Sequence, residues 1–315
     1  MLINLGIFLV SCLVLVISGV FLVKSLTKIA SYLKVSGFLI GFVLMAFATS
    51  IPELFVGISS ALAKNTVLSL GNVIGSNIVN ISLVIGIGIV LSRGIKIKRD
   101  DIKKDVFNMF LILLLPLILL VDGVLGRVDG LILIIVFVFY IWKVLKTRKK
   151  FKQVLENKIK RHEIVLSVFI FIFSLVLLFL SSNYVVKYGT LLSMDFLLSP
   201  LIIGLFLVAL GTSLPELVFG TIAVLKGKEE MSLGNIIGSN IVNSTLVLGV
   251  TALIFPISVA LGSFILPALF MLVIGFLFLI FINNKELGLF EGISLIVFYV
   301  LFLIVQFYFS GVKWI

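Results

Sequence analysis

The chain is short of charge. Asp and Glu number 14 in 315 residues, and charged residues make up 12%, about half the share usual in a soluble domain. Cys12 is the single cysteine, which rules out an intramolecular disulfide and a thiolate metal cluster. His162 is the single histidine; it sits in a basic stretch and reads as a solvated loop residue rather than a ligand. No His–Ser–Asp or metal-hydrolase constellation can be assembled from this inventory, so an enzyme is not expected. Period-2 alternation is also missing, which argues against a membrane barrel.

Apolar sequence is abundant instead. Hydrophobic residues make up 61% and mean hydropathy is +1.35. Runs of 18 or more apolar residues recur along the length and predict an all-α polytopic membrane protein. Ten spans account for them: roughly 2–23, 36–63, 67–91, 106–121 and 128–146, then 164–186, 199–225, 231–256, 262–282 and 289–309. Lys24 follows the first run and no basic segment precedes it, so residues 2–23 read as a retained span rather than a cleaved signal. The segment 147–163 reads as a basic linker between two halves, 1–146 and 164–315.

The net charge of +11 belongs to short loops and is topological, not a nucleic-acid footprint. With the N-terminus outside, Lys64, Arg127, Lys187 and Lys313 fall outside. The remaining 21 of the 25 Lys and Arg residues, including Lys24, Lys28 and Lys34, then fall inside. Both termini are thus expected outside and the 147–163 linker in the cytoplasm.

The chain also contains one stretch twice. Residues 41–86 align without gaps to 204–249, 163 positions later, with 24 of 46 positions identical. Thr49-Ser50-Ile51-Pro52-Glu53 returns as Thr212-Ser213-Leu214-Pro215-Glu216, and Gly71-Asn72-Val73-Ile74-Gly75-Ser76-Asn77 returns as Gly234-Asn235-Ile236-Ile237-Gly238-Ser239-Asn240. Five spans separate a residue from its copy, so the copies enter the membrane from opposite sides. The expected architecture is two inverted five-helix repeats with broken helices meeting at the midplane, as in secondary transporters.

Only two acids lie deep in apolar spans: Glu53 and Glu216. A carboxylate at a helix centre costs about 3 kcal/mol on insertion scales and marks an ion or proton pathway. Pro52 and Pro215 precede them, lack an amide proton and open the helix one turn back. Carbonyls at Ala46, Thr49, Ala209 and Thr212 thereby become candidate ion ligands, as do the hydroxyls of Thr49, Ser50, Thr212 and Ser213. Ser76 and Asn80 share a helical face, as do Ser239 and Asn243, and supply an opposing wall. The glycines four apart read as close-packing positions. Asn72, Asn77, Asn235 and Asn240 are expected to hydrogen-bond between helices or to line the pathway. The donor set is all oxygen, which suits Ca²⁺ or Na⁺ and suits Mg²⁺ less, because Mg²⁺ dehydrates reluctantly.

At these motifs the sequence resembles the cation/calcium antiporter superfamily, specifically the sodium/calcium exchangers. The resemblance implies a secondary-active antiporter that exchanges Na⁺ for Ca²⁺ by alternating access and normally exports Ca²⁺. It implies no cofactor and no obligatory protein partner beyond the lipid bilayer. The Ca²⁺ ligands would be Glu53 and Glu216 with help from Thr49 and Thr212. Flanking Na⁺ sites would use Ala46, Ser50 and Ser76 in one half and Ala209, Ser213 and Ser239 in the other, with Asn80 at the centre. Many exchangers carry Asp where this chain has Asn243, so one potential negative charge is missing. Spans one and six would slide across the other eight. A proton-coupled cation antiporter of the same superfamily and, further off, a cation channel are the alternatives. The small size suggests a prokaryotic plasma membrane.

Overall fold

The computed structural model describes residues 2–32, 44–97, 100–148, 161–284 and 286–309. Lys34, the first part of span two, most of the 147–163 linker, Lys313 and the C-terminal end lie outside the described residues. Helix dominates. A buried backbone inside lipid must satisfy its own hydrogen bonds, and the helix does so segment by segment.

The first half contains α1 (Leu2–Tyr32), α2 (Met45–Thr49), α3 (Ile51–Leu62), α4 (Thr66–Val79), α5 (Ile85–Ser92), α6 (Asp100–Leu119) and α7 (Arg127–Arg148). The second contains α8 (Arg161–Asp195), α9 (Pro200–Ile203), α10 (Ala209–Thr212), α11 (Leu214–Leu225), α12 (Glu229–Val242), α13 (Leu248–Ile254), α14 (Leu261–Phe281) and α15 (Leu289–Phe309). Among the described residues, seven stretches are long and apolar enough to cross a membrane, or eight if the bent pair Pro200–Thr212 and Leu214–Leu225 is one span. The two others of the expected ten are weaker for visible reasons. Span two is described only from Leu44, and α6 carries Asp101, Lys103, Lys104 and Asp105 in its first turns.

Helix ends differ from expectation at one consequential place. Span one was expected to stop near residue 23, yet α1 runs on to Tyr32, so Lys24 and Lys28 ride on helix rather than in a loop. Likewise α8 continues past residue 186 to Asp195 and carries Lys187 with it. Nothing in either extension breaks a helix: neither contains proline, and long basic side chains keep their heads in water beyond the apolar zone.

The 163-residue repeat is visible in the backbone. Ser50 interrupts the helix at φ −86°, ψ 4°, and Ser213 does so at φ −83°, ψ 1°. Each is followed within two residues by a proline that cannot donate to the preceding turn. In the second copy the two arms bend by 42°. A π-helical turn joins α4 to α5 at Asn80–Val84, and another joins α12 to α13 at Asn243–Val247. Such turns open the helical ladder and are frequent at functional sites.

Two short antiparallel pairings tie the halves together. Ile95–Lys96 (β1) pairs with Glu286–Leu287 (β4), in register Ile95 with Leu287. Val124–Leu125 (β2) pairs with Ile257–Ser258 (β3), in register Val124 with Ser258.

The two α4–α5 and α12–α13 pillars are the most enclosed, each 83% buried, against 22% for α7 and α8. Among the described residues they carry nearly half of the buried polar side chains, including every buried asparagine. α1 and α8 lie along each other over a larger interface than any other pair of elements. Phe8, Leu15, Leu22, Leu178, Val185 and Leu192 join Met45, Val56, Leu68 and Ile203 of neighbouring helices in a second apolar cluster, separate from the main core around Val73, Ile78, Ile236 and Ile241.

Candidate functional site

Glu53 and Glu216 are both fully buried, each in the first turn of the helix that follows the break. The helix N-terminus directs its free amides toward that point, which favours negative charge there. The two carboxylates lie near enough to feel each other's charge. None of their four oxygens closes a hydrogen bond. Two buried carboxylates without partners are among the most unfavourable arrangements a protein interior can hold, unless cations or protons compensate them.

Around them the halves interlock crosswise. Thr212, Ser76 and Ser213 lie beside the Glu53 carboxyl, and Thr49 and Ser239 beside that of Glu216. The Ser76 and Thr212 hydroxyls are 3.2 Å apart, and those of Thr49 and Ser239 are 3.1 Å apart. Thr212 donates to Asn72 Oδ1 at 3.0 Å and Thr49 donates to Asn235 Oδ1 at 3.3 Å. Ser239 donates to the Ala46 carbonyl at 3.3 Å. The resemblance groups Ser76 with Ala46 and Ser50, and Ser239 with Ala209 and Ser213. In the structure Ser76 meets Thr212 of the second half, and Ser239 meets Thr49 and Ala46 of the first.

Glycine explains the crossing. A Cβ on Gly71 would stand 2.2 Å from the Leu201 carbonyl oxygen, and one on Gly75 would stand 2.3 Å from that of Leu205. A Cβ on Gly204 would meet the Leu68 carbonyl oxygen at 2.3 Å. Only bare backbone fits, so α4 of one half lies directly against α9 and α10 of the other.

Every predicted site residue is buried. Several of them carry buried polar atoms without a hydrogen bond: the hydroxyls of Ser50 and Ser213, both amide atoms of Asn80, and Asn243 Oδ1. The Ala46 and Ala209 carbonyls are engaged: Ala46 accepts from the Ser50 amide at 3.3 Å, and Ala209 from that of Ser213 at 3.0 Å. Ala46 also accepts from the Ser239 hydroxyl, and Ala209 from that of Thr212 at 3.4 Å.

Asn72 and Asn235 bond between helices, as expected, and so does Asn77, whose amide donates to Ser244 Oγ at 2.9 Å. Asn240 instead donates to the Ile236 carbonyl of its own helix. The reason is local: the residue matching Ser244 in the first half is Ile81, which offers no hydroxyl. Ser244 was not singled out from the sequence, because nothing in its spacing distinguishes it from other helical serines.

Among the described residues no cluster of three or more His, Cys, Asp or Glu occurs. The centre is therefore a two-carboxylate, all-oxygen one, and its chemistry matches a hard cation with few retained waters.

The sodium/calcium exchanger protein family model matches residues 3–146 and again 166–308. The chain belongs to the sodium/calcium exchanger family. It is 31% identical to the sodium/calcium exchanger MaX1 of Methanosarcina acetivorans, over 97% of this chain and 99% of that protein. It is also 31% identical to the inner membrane protein YrbG of Escherichia coli, over 81% of each. Among solved structures it resembles the sodium-calcium exchanger NCX_Mj, soaked with Na⁺ and Ca²⁺, with a TM-score of 0.69 and 26% identity over 96% of this chain and 98% of that one. As a member of this family the protein is an integral membrane cation/Ca²⁺ antiporter, and no enzymatic activity is indicated.

Proposed function

We propose that the protein exchanges Na⁺ for Ca²⁺ by alternating access, with Glu53 and Glu216 as the shared cation ligands. The observation that carries this reading is the set of four unpaired carboxylate oxygens inside a crosswise ring of hydroxyls. Two carboxylates balance one Ca²⁺ or two Na⁺, so either load makes the centre neutral and the two loads compete. Thr49 and Thr212 complete the Ca²⁺ ligands; Ala46, Ser50, Ala209, Ser213, Ser76 and Ser239 serve Na⁺. The crosswise contacts favour pairing Ser239 with Ala46 and Thr49, and Ser76 with Thr212. The empty centre keeps two negative charges, which makes its passage through a dry barrier unfavourable.

The moving part in this reading is the α1–α8 pair. Its apolar cluster is shared with Met45, Val56, Leu68 and Ile203 of the helices it packs on, a contact with no ion pairs to break among these side chains, and α1 crosses the site at Gly19, where a Cβ would lie 3.0 Å from Pro215 Cγ and 3.2 Å from Pro52 Cγ. The pair slides across the other eight spans of two inverted five-helix repeats, 1–146 and 164–315, ten spans in all. The two β-pairings support that count, because each requires its two loops to lie on the same side. Six spans separate the first pair of loops and four the second, both even. Basic loops put the termini outside and the 147–163 linker in the cytoplasm of a prokaryotic plasma membrane, with Ca²⁺ normally exported.

The deciding experiment is Ca²⁺ uptake by the purified protein in liposomes. Vesicles loaded with Na⁺ and diluted into Na⁺-free buffer are expected to accumulate Ca²⁺, whereas a pH gradient alone gives none. Uptake driven by the pH gradient and indifferent to Na⁺ would assign proton coupling instead.

The central amides should matter less than the carboxylates. Asn80→Ala and Asn243→Ala each remove one neutral oxygen whose hydrogen-bonding capacity is unused. A ligand of that kind is worth about 1.5–3 kcal/mol against a charged partner, so the KM for Ca²⁺ should rise on the order of tenfold or more. An unchanged KM would remove these residues from the site.

A further inference from the structure

A cleft of about 480 Å³ opens between the C-terminal half of α1, the beginning of α8, and α11. Its wall is apolar and includes Phe21, Ile170, Val218 and Ile222. Lys24, Lys28 and Lys226 stand on it, and no Asp or Glu does. All three lysines are exposed, and among the described residues none has a carboxylate partner. Lys24 lies over the Phe21 ring, 5.9 Å from its centroid.

The repeat provides an internal control. Shifted by 163 positions, Lys24 matches Lys187, but Lys28 matches Leu191 and Lys226 matches Ala63. The corresponding seam between α3 and α8 is also closed. Ser59 and Ser182 hydrogen-bond at 2.8 Å, Asn65 donates to Thr190 at 2.6 Å, and Phe55 packs edge-on against Phe179 at 6.0 Å. Only one of the two equivalent places is therefore both open and rimmed by three cations.

We propose that this cleft binds an anionic phospholipid, its phosphate held by Lys24, Lys28 and Lys226 and an acyl chain laid along the apolar wall. A free phosphate would use the lysines but leave the wall bare. Phe21 and Ile222 are each about half exposed (49% and 46%), and a hydrocarbon chain is the complement the bilayer supplies. The lipid would bridge the α1–α8 pair and α11, the helix that carries Glu216 in its first turn.

Native mass spectrometry of the full chain in mild detergent, offered phosphatidylglycerol and phosphatidylcholine, tests this. The wild type is expected to retain phosphatidylglycerol preferentially. The combined variant Lys24→Gln, Lys28→Gln, Lys226→Gln should lose that preference, on the order of fivefold for each lysine removed. A control of equal charge change, Lys96→Gln, Lys104→Gln, Lys146→Gln, should keep it. Val218→Trp, which fills the cleft and spares the lysines, should lower retention of both lipids. Wild-type preference in the first variant, an equal loss in the control, or wild-type retention by Val218→Trp would each overturn the proposal. Displacement of the lipid by millimolar inorganic phosphate would overturn it too, in favour of a free-anion site.

Discussion

Glu53→Gln and Glu216→Gln are each expected to abolish Ca²⁺ transport while leaving the protein folded and inserted. The substitution keeps the shape of the side chain and removes one of the two negative charges. At about 4 Å and an effective dielectric near 20, one unit charge on another is worth about 4 kcal/mol, and a divalent cation feels twice that. Affinity for Ca²⁺ should therefore fall by at least ~10³-fold. Stability should move the other way. None of the carboxylate oxygens makes a hydrogen bond that the substitution would break, and an uncompensated buried charge is relieved. Tracer Ca²⁺ uptake in liposomes and a thermal melt in Ca²⁺-free detergent read the two effects separately. Wild-type uptake by either variant would take the carboxylate out of the site. A large drop in melting temperature would make its role structural.

Gly75→Val should prevent the protein from folding. The new Cβ would stand 2.3 Å from the Leu205 carbonyl oxygen and 2.6 Å from Ala209 Cβ, and backbone cannot swing aside as a side chain can. The helices would have to separate, at a cost of about 3 kcal/mol or more. Separation would also pull Ser76 away from Thr212. Gly211→Ala is the matched control. It lies beside Thr212, but its Cβ would meet nothing nearer than Cys12 Cβ at 4.0 Å. The control should express and melt like the wild type, whereas Gly75→Val should be absent from the monodisperse peak in size-exclusion chromatography. A monodisperse Gly75→Val with an unchanged melt would contradict the backbone contact.

Much of the site was legible because lipid makes polar residues conspicuous. In a span of Leu, Ile, Val and Phe, a Pro-Glu pair or a Gly-Asn-x-x-Gly-Ser-Asn run has no propensity to explain it, and its return 163 residues later excludes chance. Helix ends were less legible. Lys24 and Lys28 read as a loop because charge normally marks the end of a span, yet a helix without proline continues into water as easily as it crosses lipid. The π-helical turns at Asn80 and Asn243 left no signal either, since they depend on how α4 and α12 pack against their neighbours.

The sequence by itself determined that the protein is helical and membrane-embedded, that it is duplicated, and that two carboxylates lie in its apolar interior. Those conclusions follow from composition and spacing, which act along one helix at a time. Only the tertiary structure decided which hydroxyls face which carboxylate. Ser76 shares a half with Glu53 and Thr49 but meets Thr212 of the other, and Ser239 meets Thr49 and Ala46. The physical reason is the glycine contact. Bare backbone at Gly71, Gly75 and Gly204 lets helices of opposite halves approach more closely than any side chain would permit. The partners across such a contact are fixed by packing in three dimensions, and spacing along the chain does not encode them.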